Sequence, residues 1–422
     1  MDRRIGRSLP AGQAARLWVT DDRSDARNLV EETAMIPQQA APSRMQTHRD
    51  FFSAYSFDTL ISGAARLRPQ AIALADRGAS VPFDLLAGHA SALARLLADS
   101  GLKPGERVLL TGGAEVSLVI AIVAALRGGF EPALAPLGLD AGELAAHARA
   151  IDAAALAGPT AYGTSIETET YLAAAALAPS IRLVATLGPQ AIDGAVDLST
   201  EAVLRYAAEN PEINIERGKP APSHAPRIIT FGRGGKTPVI HQQATLMAAS
   251  LDFIARASIG RETPILSTLP PTSFAGLVTG PLAALLSGAM LTFEGPFDAR
   301  AFLKSRDDIG HAHLVIPAAI GGDLAKAGVF DGLASAVLVS RLSPQTSFVP
   351  PERIAAPCPL IDLYAIGESA AVAEQRRDGV PLPPAHAPHF IGFDEARTLT
   401  LEACPQPGQP LAVHGAGVTE TP

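Results

Sequence analysis

Cysteine, tryptophan and charge are all scarce in this chain. Of 422 residues, two are cysteine and one is tryptophan. Cys358 and Cys404 each adjoin a proline, and neither has an activating neighbourhood. A disulfide framework is therefore excluded, and a reducing, cytoplasmic setting is expected. Charged residues make up only 18%, with a net charge of −8, which excludes a general binder of nucleic acid or anionic membrane. The longest strongly apolar run, 116–126, stops at Arg127. It is too short for a membrane span and reads as a buried helix. The amino-terminal stretch has no apolar core of a secretory signal. A Gly-x-Ser-x-Gly elbow and a hydrolase triad signature are also missing.

What is present is a core. Hydrophobic residues reach 47%, enough for two or three packed units over this length. Residues 1–50 carry many arginines and aspartates with little periodicity, which predicts a disordered tail. From Phe51 onward, apolar residues alternate between helical and strand spacing. Helices are predicted at 57–67, 83–97, 115–126, 140–151, 242–257, 277–286, 298–305 and 318–326. Strands are predicted at 71–75, 131–137, 181–187, 227–231, 264–269, 289–293, 312–316, 335–340 and 358–364, with short ones near 398–402 and 410–414. This is an α/β pattern of layered mixed sheets flanked by helices. A proline-containing seam at 208–226 divides it into an expected first subdomain, 51–215, and a second, 216–422.

Residues 228–241 read I-I-T-F-G-R-G-G-K-T-P-V-I-H. Gly232, Gly234 and Gly235 lie among the cations Arg233 and Lys236. A glycine turn that closes a strand and opens a helix presents free N–H groups to a phosphate. An ordinary turn with solvated cations accounts for the same residues. Gly235-Lys236-Thr237 also fits the end of a P-loop, but Thr230 stands where that motif needs its first glycine. Asp362, near a strand end, would serve as the magnesium-holding acid of such an NTPase. Elsewhere His311 and His313 share one face of a predicted strand, with no third metal ligand evident. His386 and His389 sit among prolines.

The order of landmarks resembles the adenylate-forming enzymes, the acyl-CoA synthetases and peptide-synthetase adenylation domains. V-P-F-D (81–84) and G-L-K-P-G-E-R-V (101–108) resemble that family's "TYxEL" and "GLKPGDRV". Residues 230–239 stand where "TSGTTGxPKG" occurs. L-P-P-T-S-F-A-G-L (269–277) resembles "LPLFHxxGL", and L-Y-A-I-G-E-S (363–369) resembles "xYGxTET". G-Q-P-L-A-V-H-G-A-G-V (408–418) is similar to "GELxVRGPxV".

The resemblance implies an acid-activating ligase that uses ATP, releases pyrophosphate and holds an acyl-AMP. By matching position, Tyr364 would stack on adenine and Glu368 would act in catalysis and hold Mg2+. Thr230, Gly232, Arg233, Gly234 and Gly235 would cradle phosphate, with Lys236 as a displaced loop lysine. His241, Ser273, Phe274 and Arg341 would line the substrate pocket. An organic acid is the implied substrate, with coenzyme A or a carrier protein's phosphopantetheine as acceptor. The chain departs from the pattern in its loop hydroxyls, replaced by Phe231, Arg233 and Gly234. Arg341 stands where glycine is usual. No counterpart of the small C-terminal lid is recognised, so either a separate lid-domain protein or a non-catalytic binding role is expected.

Overall fold

Alternation along single strands sets the architecture. In the strand Arg107–Gly112, Val108 and Leu110 belong to one core and Leu109 to another. In Leu360–Ile366, Ile361, Leu363 and Ala365 face the first core, while Leu360 joins a third. A period of two that is apolar on both sides marks a sheet covered on both faces. The computed structural model describes residues 55–163, 165–166, 168–188, 190, 192–210, 225–232, 237–342, 351–382, 400–401, 413–414 and 417–419. The expected tail, most of the 208–226 seam, residues 233–236, Ser343, Pro344, His386, His389 and Cys404 lie outside them.

Two mixed sheets result. The larger has eight strands, in the order Ala370–Gln375, Leu360–Ile366, Ser335–Leu342, His313–Pro317, Ile265–Ser267, Leu291–Phe293, Ile72–Ala75 and Ser80–Pro82. The smaller has seven, in the order Thr237–His241, Ile228–Gly232, Glu131–Pro136, Arg107–Gly112, Ala153–Gly158, Leu183–Thr186 and Val196–Asp197. One core joins their facing surfaces through a central helical layer. Val116–Arg127 lies in that layer and is buried nearly all round, as its uninterrupted apolar run predicts. A second core packs Ala141–Ile151 on the far face of the smaller sheet. A third packs Phe302 and Phe330 on the far face of the larger.

Local chemistry starts the helices where the sequence signals them. Ser56 and Thr59 form a capping box for Phe57–Leu67, and Asp140 and Glu143 form one for Ala141–Ile151. The expected helix 277–286 is instead two, Phe274–Thr279 and Pro281–Ser287, broken at Gly280. A Cβ at Gly280 would come within 2.8 Å of the Gly276 carbonyl, so the break needs glycine.

Sheet membership crosses the expected seam in both directions. Ile72–Ala75 pairs with Leu291–Phe293 in the larger sheet, and Ile228–Gly232 pairs with Glu131–Pro136 in the smaller. The boundary at 215/216 is therefore not a boundary between sheets. The strands Ala153–Gly158 and Ala370–Gln375 went unread because they are alanine-rich, and burial between packed layers overrides alanine's weak strand preference.

Asp362 is not a free acid. Its oxygens accept from Arg376 Nη2 at 2.7 Å and Nε at 2.9 Å, and both residues are buried. The guanidinium also donates to the Glu352 carbonyl at 2.8 Å. This corrects the reading of Asp362 as a metal-holding acid of an NTPase. Breaking a buried pair leaves an uncompensated charge, so Asp362→Ala is expected to cost about 3–5 kcal/mol in urea unfolding. The combined Asp362→Leu and Arg376→Met replacement should cost far less. A loss below about 1 kcal/mol in the single variant would contradict this account.

Candidate functional site

The glycine loop joins two antiparallel strands. Ile228–Gly232 pairs with Thr237–His241 from Ile228 opposite His241 to Gly232 opposite Thr237. The helix Gln243–Ala257 starts only after that second strand. The turn therefore opens a strand and not a helix, which corrects the expected helix N-terminus and removes the context a P-loop requires. Pro238 sits on the sheet's edge strand, where a missing N–H costs no ladder bond. Arg233, Gly234, Gly235 and Lys236, at the turn, lie outside the described residues.

The hairpin's inner face carries a buried polar chain. Ile228 points into the central layer and Ile229 away from it, so Thr230 points inward with Ile228. Thr230 Oγ1 lies 2.8 Å from His241 Nε2, and His241 Nδ1 lies 2.7 Å from Thr419 Oγ1. All three are buried. Burial holds the His241 imidazole down at about 3, so the ring is neutral near pH 7. A neutral ring has one donor and one acceptor. Both ring nitrogens are satisfied when Thr419 donates to Nδ1 and Nε2–H donates to Thr230.

Glu368 ends the chain. It follows the strand Leu360–Ile366 and is 6% exposed. Burial pushes its carboxyl up, against the Phe274 N–H, Arg341 and Thr230, which favour the anion. Phe274 N donates to Glu368 Oε2 at 2.6 Å, and Gly276 N donates to Ser273 Oγ at 3.1 Å. Together they cap the amino end of Phe274–Thr279, where a helix dipole stabilises an anion. Ser273 is thus a helix cap. The Phe274 ring packs against His241 at 5.4 Å between centroids. Gly232 passes close by, since a Cβ there would sit 3.8 Å from Glu368 Cγ.

Arg341 completes the cluster. It lies opposite Ala365 in register, on the face turned to the central layer. Its Nη2 is 3.6 Å from Glu368 Oε1, and its side chain is 73% exposed. The cluster stands at a topological switch. Ile265–Ser267 neighbours Leu291–Phe293 on one side and His313–Pro317 on the other, and the chain leaves it toward Ser273 and Phe274. Crevices at such points, beyond the carboxyl ends of parallel strands, are where ligands bind in open α/β sheets.

The structure thus brings Thr230, Gly232, His241, Ser273, Phe274, Arg341 and Glu368 together. Tyr364 is placed differently. It is fully buried on the sheet face opposite Leu363 and Ala365, and its hydroxyl donates to the Leu382 carbonyl at 2.8 Å. Burial raises its phenol well above the ordinary range. Thr419 was not foreseen, because nothing in the sequence links it to His241, 178 positions away. His313 is buried on its strand against Ser335, whereas His311 precedes the strand and is exposed. Among the described residues no group of three or more His, Cys, Asp and Glu is placed to hold a metal. No helix among them is long and apolar enough to cross a membrane. A separate hollow, lined by Phe57, Ile61, Phe83, Leu86, Leu277 and Pro281 among others, is apolar and contains none of the expected site residues.

The profile of the AMP-binding enzyme family matches residues 61–375. The chain belongs to that family. No curated protein matches it. Among solved structures, Mycobacterium smegmatis MbtA, in its apo form, is similar with a TM-score of 0.65 at 18% identity, covering 90% of this chain and 71% of that one. The anthranilate CoA ligase AuaEII in complex with anthranoyl-AMP has a TM-score of 0.65 at 12% identity, covering 86% and 70%. The Klebsiella oxytoca NpsA N-terminal subdomain, in complex with 3-hydroxybenzoyl-AMSN, has a TM-score of 0.59 at 16% identity, covering 86% and 88%. NpsA is also known artificially fused to ThdA as an adenylation–PCP di-domain. At these identities the likeness establishes the fold, which is that of the large N-terminal domain of AMP-binding enzymes.

His241 makes stability pH-dependent in one direction. Its folded value, about 3, lies below the ordinary 6.5, so the unfolded chain takes up this proton first as pH falls. The contribution is complete above about pH 6.5 and shrinks as pH drops toward 3. His313, held at about 4 chiefly by burial, acts in the same sense. Glu368 acts oppositely, because its raised value favours the folded state at low pH. In denaturant melts, His241→Gln is expected to lose about 1–2 kcal/mol less than the parent between pH 7 and pH 5. Equal losses would refute the neutral, buried imidazole.

Proposed function

We propose that this AMP-binding enzyme family member activates an organic acid, acyl or aryl, as its acyl-adenylate. The observation that carries the reading is the convergence of Thr230, Glu368, Arg341 and the Phe274 helix terminus beside the glycine hairpin. A carboxylate and a triphosphate repel one another, so the site must supply positive charge and fixed donors. Arg341 is a described cation at the crevice, and Arg233 and Lys236 belong to the loop by sequence. In the reaction, a carboxylate oxygen forms a bond to the α-phosphorus of ATP. The bond from that phosphorus to the β-bridging oxygen breaks, and pyrophosphate leaves with the electron pair. The acyl group then passes to a thiol, of coenzyme A or of a carrier protein's phosphopantetheine, and AMP is released. AuaEII supports the first acceptor by name, and the NpsA–ThdA fusion supports the second. Both neighbours with bound adenylates carry aromatic acyl groups, which favours an aryl acid.

A second reading has its own support. The Tyr364 ring is covered, and the hydroxyl-poor loop sequence offers few groups to a triphosphate. Both favour a relative that binds an acyl ligand or a carrier protein without completing catalysis, or one that works with a separate lid-domain protein.

Acid-dependent exchange of pyrophosphate into ATP, measured with a panel of aryl and acyl acids, tests the reaction. Exchange with at least one acid supports activation. ATP or acyl-sulfamoyl-adenosine binding without exchange supports the second reading, and the absence of both removes the first. A charged hydrogen bond contributes about 1.5–3 kcal/mol, so Lys236→Ala is expected to weaken ATP binding roughly 10- to 100-fold. Unchanged affinity would remove Lys236 from the site.

A further inference from the structure

The family resemblance implies a divalent ion on Glu368, and the residues around that carboxylate argue against it. Oε2 is taken by the Phe274 N–H at 2.6 Å, which anchors the side chain to the start of a helix. Oε1 faces the Arg341 guanidinium at 3.6 Å. Glu368 therefore has a backbone donor on one oxygen and a cation beside the other. A magnesium ion must approach its ligand oxygen to about 2.0–2.1 Å and keep an octahedral shell of waters or phosphates. At Oε1 the ion would stand beside the guanidinium, and two positive groups would compete for one charge. Among the described residues no group of three or more His, Cys, Asp and Glu gathers around Glu368 to offset this.

We propose that Arg341 is the resident counter-cation of Glu368 and replaces the divalent ion, so that this site takes the phosphate of an adenylate without metal. The inference rests on the adenylate-forming reading. Arg341 suits the task. Its contact with Glu368 occupies one edge of a planar group that carries five N–H donors. The rest is exposed at the carboxyl end of Ser335–Leu342, on the face turned to the central layer. A guanidinium so placed can pair with phosphate oxygens bidentately, while the carboxylate beside it favours its charge. It is also permanently charged, so its occupancy needs no ion concentration to maintain it.

The test uses the full chain and two readouts. AMP binding is measured by calorimetry in EDTA and in millimolar magnesium, and Mn2+ binding by electron paramagnetic resonance without nucleotide. For the parent, AMP affinity is expected to agree within about twofold in the two buffers, with no bound Mn2+ signal. Arg341→Ala is expected to lose roughly 10- to 100-fold in AMP affinity in EDTA, to recover part of it with magnesium, and to bind Mn2+. Arg341→Lys, which keeps the charge, should remain insensitive to metal. The exposed Arg341 side chain makes both replacements compatible with folding, and a thermal melt checks this. The proposal is overturned if magnesium raises parental AMP affinity more than about tenfold, if the parent binds Mn2+ in a manner abolished by Glu368→Gln, or if Arg341→Ala leaves AMP affinity unchanged. Failure of AMP and acyl-sulfamoyl-adenosine to bind in either buffer removes the adenylate reading and this proposal together. Metal dependence with intact binding removes the proposal alone.

Discussion

A buried carboxylate governs the arrangement of the site. Glu368 has little water to solvate it, so protein donors must do so, and they come from distant parts of the chain. The Phe274 N–H is 94 positions away, and Arg341 arrives from the neighbouring strand. Thr230 arrives from the other sheet, relaying His241 and, through it, Thr419. Leaving the buried Glu368, Thr230, His241 or Thr419 unpaired in a low-dielectric interior would be costly. The satisfaction of one anion thus holds the two sheets, the helix Phe274–Thr279 and the segment 417–419 in one relation.

That constraint connects fold to function. A layered pair of sheets with shared helices leaves a crevice where parallel strands end and chain direction switches. The polar chain sits where the strands Ile228–Gly232 and Leu360–Ile366 end and ties the two sheets there. Preorganised donors and a fixed cation are what a site needs if it is to bring two anions together. The 417–419 segment adds to this rigidity. Thr419 N donates to the Ser369 carbonyl at 2.8 Å, and Val418 packs on Ile366, Ala370 and Val372.

Much of the fold was legible in the sequence because it is written in local periodicity. Phe57–Leu67 was read to the residue, and most helices and strands fell within a few positions. Reading failed where context overrides local preference. The strands Ala153–Gly158 and Ala370–Gln375 look helical by composition. The strand Thr237–His241 was hidden because the glycine turn before it was read as opening a helix, and its proline lies on the edge strand. An ordered set of short phrases picked out Thr230, His241, Phe274 and Glu368, which the fold brings near one another. Their hydrogen bonds were not legible, since no short-range pattern encodes a contact across 178 residues. Tyr364 shows the same limit: its neighbours in sequence gave its position, but the pleat of its strand gave its direction.

Hydrogen exchange with and without an acyl-sulfamoyl-adenosine bears most directly on whether this polar cluster is the ligand site. The account predicts added protection in peptides covering 228–241, 273–279, 335–342 and 366–369 together, with little change around the apolar hollow near Phe57 and Phe83. Protection confined to that hollow, or none in those four segments despite saturating ligand, would contradict it.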